Sequence, residues 1–143
     1  MQQHIRDLVR DQKVLTIGPK VTVREAARTM TERHIGAILV AENSRLVGIF
    51  SERDILNRVV AKELDPDKTD VESVMTRNPD CLPPTANLRD AMQLMVKHDY
   101  RHVPVVDGSR ILGVISARDI YKNSVESIQT GVSNLAREML TQS

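Results

Sequence analysis

Apolar residues recur at helical spacing in two segments of the chain. Each series has apolar side chains at positions i, i+3, i+4 and i+7, one beginning at Val23 and the other at Leu88. The two series are Val23, Ala26, Ala27 and Met30, and Leu88, Ala91, Met92 and Met95. A period of about 3.6 residues predicts one amphipathic helix in each segment. Thr22 and Asn87, each with an acidic residue three positions later, are typical N-caps of such helices.

Runs rich in β-branched residues follow each predicted helix and indicate two hairpins. The predicted strands lie at residues 37–42, 46–50, 102–107 and 111–115. Asn43-Ser44 is the predicted turn of the first hairpin and Asp107-Gly108 that of the second. An Asp-Gly pair favours the primed turn types that close tight hairpins.

The remaining predicted elements complete the same order in both segments. A first strand is predicted at residues 14–17 and at residues 81–82, before prolines that favour extended backbone. Short lead-in helices are predicted at residues 5–9 and 71–75. A second helix is predicted after each hairpin, with the apolar faces Ile55, Leu56, Val59 and Val60, and Ile120, Tyr121 and Val125. Each unit therefore reads β-α-β-β-α.

An internal duplication explains this repeated order. A shift of 65 residues aligns residues 23–56 with 88–121 without a gap, and 11 of the 34 aligned positions are identical. The period is longer than that of most solenoid repeats, so two copies predict a pseudo-twofold pair. We predict an α+β fold with units at residues 5–64 and 70–128 and a helical tail at 129–143.

Composition and charge exclude several classes of function. The 143-residue chain has a net charge of +1 and 2% aromatic residues, which disfavours nucleic-acid binding by counterion release or by base stacking. Cys81 is the only cysteine, so we expect a structural thiol and a reducing compartment. The longest uncharged apolar stretch, residues 35–41, is too short to span a membrane. With no hydrophobic signal core at the start, these features predict a cytoplasmic protein that contacts neither membrane nor nucleic acid.

Two Ser-x-x-Asp pairs stand where a predicted strand turns into a helix. They are Ser51-x-x-Asp54 and Ser116-x-x-Asp119. The pairs fit a capping box, in which the hydroxyl and the carboxylate each accept a backbone N–H of the first turn. A carboxylate at this position can also accept both hydroxyls of a ribose. The residues alone leave both interpretations open.

An arginine in each of these first turns points to an anion. Arg53 and Arg118 face the positive end of a helix dipole, which disfavours a cation there. A phosphate at the helix start would satisfy both the dipole and the guanidinium group. The alternative is a solvated arginine, or an Arg53 paired with Glu52. No catalytic constellation, Walker sequence or metal-ligand spacing is found, and His98 and His102 lie on different predicted elements, so we expect neither an enzyme nor a metal site.

The motifs resemble those of a tandem pair of CBS domains, the Bateman module. The stretches that carry the resemblance are Gly48-Ile-Phe-Ser-Glu-Arg-Asp54, Gly113-Val-Ile-Ser-Ala-Arg-Asp119 and Arg101-His-Val-Pro-Val-Val-Asp107. The resemblance covers about residues 5 to 125. It implies two units packed through their sheets, two clefts for adenosine compounds such as AMP, ADP, ATP, NAD or S-adenosylmethionine, and regulation without catalysis. It also implies frequent homodimers.

The resemblance also implies roles for individual residues, with no cofactor required beyond the adenosine ligand. It places the ribose at Asp119, Ser116, Asp54 and Ser51. It places phosphates at Arg118, Arg101, His102 and Arg53. It places adenine at Val103, Pro104, Ile38, Val114 and Ile49. Pro104, which has no N–H, also belongs at a strand edge or end.

The two predicted clefts are not equivalent in charge. Arg101 and His102 align with Gly36 and Ala37, so we expect the Asp119 cleft to prefer charged phosphates and the Asp54 cleft to be weaker. We interpret the chain as an adenine-nucleotide sensor that acts on a separate protein target or through its own homodimer. The alternative is a ligand-free oligomerisation or adaptor module.

An apolar stripe in the predicted tail requires a covering surface. Its residues are Val125, Ile128, Val132, Leu135 and Met139. Such a stripe packs either on the body of the same chain or on a partner.

Overall fold

A computed structural model describes residues 4–123, 135–137 and 139–140 of the chain. The strands are β1 (Thr16–Ile17), β2 (Ala37–Glu42), β3 (Arg45–Ser51), β4 (Thr76–Arg77), β5 (His102–Asp107) and β6 (Arg110–Ser116). The helices are α1 (Ile5–Val9), α2 (Val23–Arg33), α3 (Glu52–Asp54), α4 (Leu88–His98) and α5 (117–123). A π-helical segment, Ile55–Val60, continues α3, and Val71–Ser73 forms a single 3₁₀ turn. The predicted α+β class is confirmed.

Each unit contributes one sheet. The first sheet has the order β1-β2-β3-β4, with β1 parallel to β2 and the other pairs antiparallel. The second sheet consists of β5 and β6, and Leu82 pairs in parallel with Val105 at its edge. The predicted strand at residues 81–82 is thus a single bridged residue. The carbonyl of Pro104 accepts a hydrogen bond from Leu82 N at 3.0 Å, so the ring nitrogen faces this short edge, where no ladder bond is lost.

Both hairpins close with two-residue loops. Asn43 and Ser44 have φ angles of 53° and 64°, as a type I′ turn requires. In the second hairpin Asp107 pairs with Arg110, so the loop is Gly108-Ser109, and Gly108 has a φ of 61°. The predicted Asp107-Gly108 turn was therefore wrong by one residue, because Asp107 still belongs to the β-ladder.

The lead-in segments cross between the units. Ile5 and Val9 of α1 are buried in the core of the second unit, and Ile5 N donates to Ala86 O at 3.0 Å. The segment that precedes the second unit instead packs in the first core, where Val71 N donates to Val21 O at 2.8 Å. Each core is thus completed by a segment that precedes the other unit in the sequence, so the two units interlock.

The two sheets pack on each other through one apolar cluster. Ala37, Leu39 and Ile49 are buried there, and Ile111 and Val114 of β6 pack against them. Fully burying a side chain of this size contributes roughly 1.5–3 kcal/mol. The predicted packing of the units through their sheets is confirmed.

The predicted apolar faces of the second helices were partly wrong. Leu56, Val60 and Tyr121 are exposed by 61%, 63% and 70%. In the first unit the bonds Ala61 N to Leu56 O and Leu64 N to Val59 O link residues five apart, which widens the turn. Ile55 and Val59 therefore face inward, and their neighbours face outward.

The tail is described only in part. Val125, Ile128 and Val132 lie outside the described residues. Leu135 and Met139, at 57% and 66% exposure, are not covered by the described body of the chain. For these two side chains the interpretation that the stripe packs on the chain itself is wrong.

We predict that Gly48→Ala destabilises the first unit. An added Cβ would overlap with Sδ of Met75 and would lie 2.8 Å from its Cε and 3.0 Å from its Cγ, and Met75 is buried in the first core. Because three consecutive atoms of Met75 would have to move, we expect the free energy of unfolding to fall by about 1–3 kcal/mol, measured by urea denaturation. Gly18→Ala is the control, since no atom lies within 4 Å of a Cβ there. Equal effects of the two substitutions would contradict the prediction.

Candidate functional site

An open cleft of about 1180 Å³ lies between the two units. Its walls come from β2 and the end of α2 on one side, and from β6, α5 and the start of β5 on the other. The extended segment between α1 and β1 closes one end. A cavity of this size accommodates a nucleotide-sized ligand. A second cavity of about 450 Å³ lies near the hairpin turns and is lined by neither Asp54 nor Asp119.

Asp119 lines this cleft and also caps α5. Ser116 N donates to Asp119 Oδ2 at 3.0 Å, and Asp119 N donates to Ser116 Oγ at 3.0 Å. The capping interpretation is therefore confirmed for this pair. Within the described part of the chain, Oδ1 of the half-buried Asp119 accepts no hydrogen bond. One oxygen thus serves the backbone, and the other is available to a ligand.

Asp54 has both oxygens engaged. Its Oδ2 accepts from Ser51 N at 2.8 Å and from Ser51 Oγ at 3.1 Å, and its Oδ1 lies 3.5 Å from Arg58 Nε. Arg58 is itself held by the backbone carbonyls of Val74 and Met75. Asp54 is buried and does not line the cleft. The position equivalent to Arg58 is Asn123, whose amide bonds the backbone carbonyl of Asp119 and leaves the carboxylate alone.

Three of the four predicted phosphate residues meet in the cleft. Arg101, His102 and Arg118 line it, whereas Arg53 donates to Asp99 O at 2.9 Å and to Asp99 Oδ2 at 3.3 Å. Arg53 therefore has an anionic partner, though not the predicted Glu52. The repeat position of Asp99 is His34, which has the same left-handed backbone conformation but carries no carboxylate for Arg118.

His102 sits between the two units. A Cβ on Gly36 would lie 3.4 Å from Cε1 and Nε2 of His102 and 3.3 Å from Glu52 Oε1, so only a small residue leaves this space. Burial lowers the pKa of His102, and the carboxylates of Glu52 and Asp119 only partly oppose this effect. The imidazole is therefore neutral near pH 7, and an arriving anion would favour its protonated form.

Only some of the predicted adenine residues line the cleft. Val114 lines the cleft, and the partly buried Leu15 adds further apolar surface. Ile38 borders the cleft, but its side chain is only 2% exposed and packs in the first core. Three others do not line it: Val103 and Pro104 are fully buried, and Ile49 packs in the inter-sheet cluster.

Several residues at the cleft had no sequence signal. Gln12 braces β6, since its Nε2 donates to Val114 O at 2.8 Å and its Oε1 accepts from Val114 N at 3.1 Å. Lys13, Arg33 and Lys122 also line the cleft. They stand outside the motifs, and only the packing of the units brings them together.

Other candidate chemistry is limited in the described ranges. No group of three or more metal-ligating side chains occurs among residues 4–123 and the described part of the tail. His98 stacks on Tyr100, and its Nε2 lies 4.0 Å from Asp80 Oδ2. Cys81 is half-buried, and burial raises the pKa of its thiol. None of the described helices has the length and apolar character needed to cross a membrane.

Comparisons with known proteins agree with this architecture. The profile of the CBS domain matches residues 5–61 and 71–126. The CBS domain-containing protein YhcV of Bacillus subtilis (strain 168) is 34% identical over 128 residues, which cover 88% of this chain and 91% of that protein.

Solved structures share the fold. The CBS domain protein PAE2072 from Pyrobaculum aerophilum, complexed with AMP, superposes with a TM-score of 0.75 at 29% identity, covering 82% of this chain and 89% of that one. The CBS domain pair of protein MJ0100, in complex with 5-methylthioadenosine and S-adenosyl-L-methionine, has a TM-score of 0.78 at 25% identity and covers 89% and 99% of the two chains. The duplicated β-α-β-β-α units, their paired sheets and these matches show that the chain belongs to the CBS-domain family and contains two such domains in tandem.

Proposed function

We propose that the chain is a regulatory module that binds an adenosine-containing ligand in the cleft beside Asp119. The observation that carries this proposal is that the two carboxylate oxygens of Asp119 have different contacts. Oδ2 is held by Ser116 N, and Oδ1 has no hydrogen bond within the described residues, at the edge of a cleft of about 1180 Å³. A carboxylate positioned in this way can accept both hydroxyls of a ribose.

The surrounding residues suit the rest of a nucleotide. Leu15 and Val114, both partly buried, offer apolar surface for a base, and Arg101, His102 and Arg118 offer positive charge for phosphate. AMP, 5-methylthioadenosine and S-adenosyl-L-methionine occupy solved members of the family, and all three contain adenosine. The role that we propose is therefore ligand binding and signalling.

We expect Asp119→Asn to weaken AMP binding far more than Asp54→Asn. An asparagine keeps an oxygen for the capping bond and loses the charge that the ribose hydroxyls contact. Losing such a charge-assisted pair costs about 1.5–3 kcal/mol, or roughly 10- to 150-fold in the dissociation constant. Calorimetric titration with AMP measures the change.

Asp54→Asn is the matched control for this experiment. It alters the repeat-equivalent carboxylate, which pairs with Arg58 away from the cleft, so we expect AMP affinity to change less than about twofold, a difference well below 1 kcal/mol. Equal losses in the two variants would show that the cleft is not asymmetric.

We expect AMP to bind more tightly as the pH falls from about 7.5 to 6.5, towards the ordinary pKa of histidine. Burial holds His102 neutral in the free protein, and a bound phosphate stabilises the imidazolium, so binding takes up a proton. Calorimetry across this range should show the trend in the native protein and not in His102→Gln. The control matters because the phosphate itself loses charge near pH 6, which weakens binding in both proteins.

The same linkage gives an expectation for stability. A histidine whose pKa is lowered by folding binds its proton more readily in the unfolded chain. The free energy of unfolding of the ligand-free protein should therefore fall as the pH drops through about 6.5, the pKa of histidine in the unfolded chain. His102→Gln should reduce this slope in denaturation curves, and an unchanged slope would contradict the assignment.

We further propose that the chain acts as a homodimer. Leu56 and Tyr121 occupy equivalent positions on the second helices of the two units, and both are largely exposed, as is Val60. A ligand that binds between the units can regulate a dimer or a separate protein target only through different affinities for two arrangements.

We expect Leu56→Asp combined with Tyr121→Asp to shift the protein from dimer to monomer in light scattering after size exclusion. A charge on each helix would have to be desolvated in the apolar interface. Ser44→Asp, at the β2–β3 turn, adds charge away from these helices and should leave the mass unchanged. A dimer that survives the double substitution places the interface elsewhere.

A further inference from the structure

We propose that the cleft beside Asp119 prefers nucleoside triphosphates to monophosphates, because its cations extend well beyond the residues needed for one phosphate. This inference rests on the proposed nucleotide-binding function of the same cleft. It concerns Lys13, Arg33 and Lys122, to which neither the motifs nor the comparisons assign a role.

Permanent cations outnumber carboxylates around the cleft. The cations are Lys13, Arg33, Arg101, Arg118 and Lys122, and the carboxylates are Glu52 and Asp119. Low-dielectric walls lined by one sign of charge concentrate the electrostatic field and attract the opposite charge. A single phosphate group carries roughly two negative charges near pH 7, too few to neutralise this excess once the carboxylates are counted.

The positive charges around the cleft are not neutralised by salt bridges within the part of the protein that the structure describes. Within the described residues, none of the five cleft cations forms an ion pair. Five basic residues elsewhere are paired, in the bridges Arg10–Asp7, Lys20–Glu72, Arg24–Asp67, Arg53–Asp99 and Arg58–Asp54. Other surface cations, such as Lys62 and Lys97, are unpaired among the described residues as the cleft cations are, but they do not line the cleft. The charges of the five cleft cations therefore remain available to a ligand.

The duplication supplies an internal comparison. At a shift of 65 residues, Lys13, Arg33, Arg101 and Lys122 correspond to Asn78, His98, Gly36 and Asn57. The fifth cation, Arg118, corresponds to Arg53, which Asp99 already neutralises. None of the five repeat-equivalent residues is thus an unpaired, permanently charged cation. The positive charge is a property of this cleft and not of the repeated unit.

The placement of the cations fits an extended phosphate chain. Arg118 and Lys122 are four residues apart in the helical stretch 117–123, which puts them on one face of α5. Arg33 ends α2, and Lys13 lies in the extended segment before β1, so both belong to other walls. A triphosphate that starts near Arg101 and His102 can engage several walls, whereas a monophosphate cannot.

The test is a calorimetric comparison of adenosine, AMP, ATP and inorganic tripolyphosphate at low ionic strength, with a chelator present to remove divalent metal. The native chain should bind ATP at least about tenfold more tightly than AMP, since each further charged contact contributes a fewfold in affinity. Lys13→Ala combined with Lys122→Ala should abolish most of this ratio, because it lowers the affinity for ATP far more than the affinity for AMP. Lys62→Ala combined with Lys97→Ala removes the same charge outside the cleft and should preserve the ratio.

The outcomes separate this inference from the function on which it rests. Equal affinities for ATP and AMP in the native chain would overturn the triphosphate preference. An ATP-to-AMP affinity ratio that is unchanged after loss of Lys13 and Lys122 would also overturn it. Neither result would contradict the nucleotide site itself. Binding of tripolyphosphate without adenosine, AMP or ATP would overturn the nucleotide site and with it the preference. If the control substitutions at Lys62 and Lys97 lower the ATP-to-AMP affinity ratio by the same amount, the assignment of the preference to Lys13 and Lys122 is overturned.

Discussion

The carboxylate of Asp119 caps a helix with one oxygen and leaves the other without a hydrogen bond among the described residues, and the proposed binding at the cleft depends on this arrangement. One oxygen accepts the N–H of Ser116 and so fixes the start of α5. Fixing that helix also fixes the position of the side chain, which lines the cleft. A capping box and a ribose site are therefore compatible uses of a single residue. The same interaction explains how a short motif can specify both a turn and a binding geometry.

The duplicated unit carries the same interaction at Asp54, yet its neighbours change the outcome. Arg58 occupies the oxygen that is available in Asp119, and Arg53 is held by Asp99. At the corresponding positions stand Asn123 and, from the first unit, His34, which leave both the Asp119 carboxylate and Arg118 without such partners among the described residues. The two copies of one motif therefore differ in what they offer to a ligand. We infer that the Asp54 motif supports the architecture and that the Asp119 motif holds the proposed ligand.

The interlocked lead-in segments contribute to the wall of the cleft between the units. Because α1 completes the second core, the chain that follows it crosses the edge of β6, where Gln12 bonds both polar groups of Val114. This crossing brings Lys13 and Leu15 into the wall of the cleft. Any motion that changes the relation between the units must also move this segment. The proposed ligand site and the contact between the two halves thus share this segment.

The amino-acid sequence by itself determined the duplication, the order of elements and the two capping motifs, because these depend on local spacing and on identities at a constant shift. It also identified Arg101, His102, Arg118 and Asp119, which the structure brings together. Only the tertiary structure decided that Leu56 and Val60 face outward, because a π-helical turn follows from packing and not from apolar periodicity. Only the tertiary structure decided which of two identical motifs opens into a cleft. That choice depends on contacts such as Arg58 with Asp54, and on the crossing of α1 into the second core, between residues whose proximity no local pattern encodes.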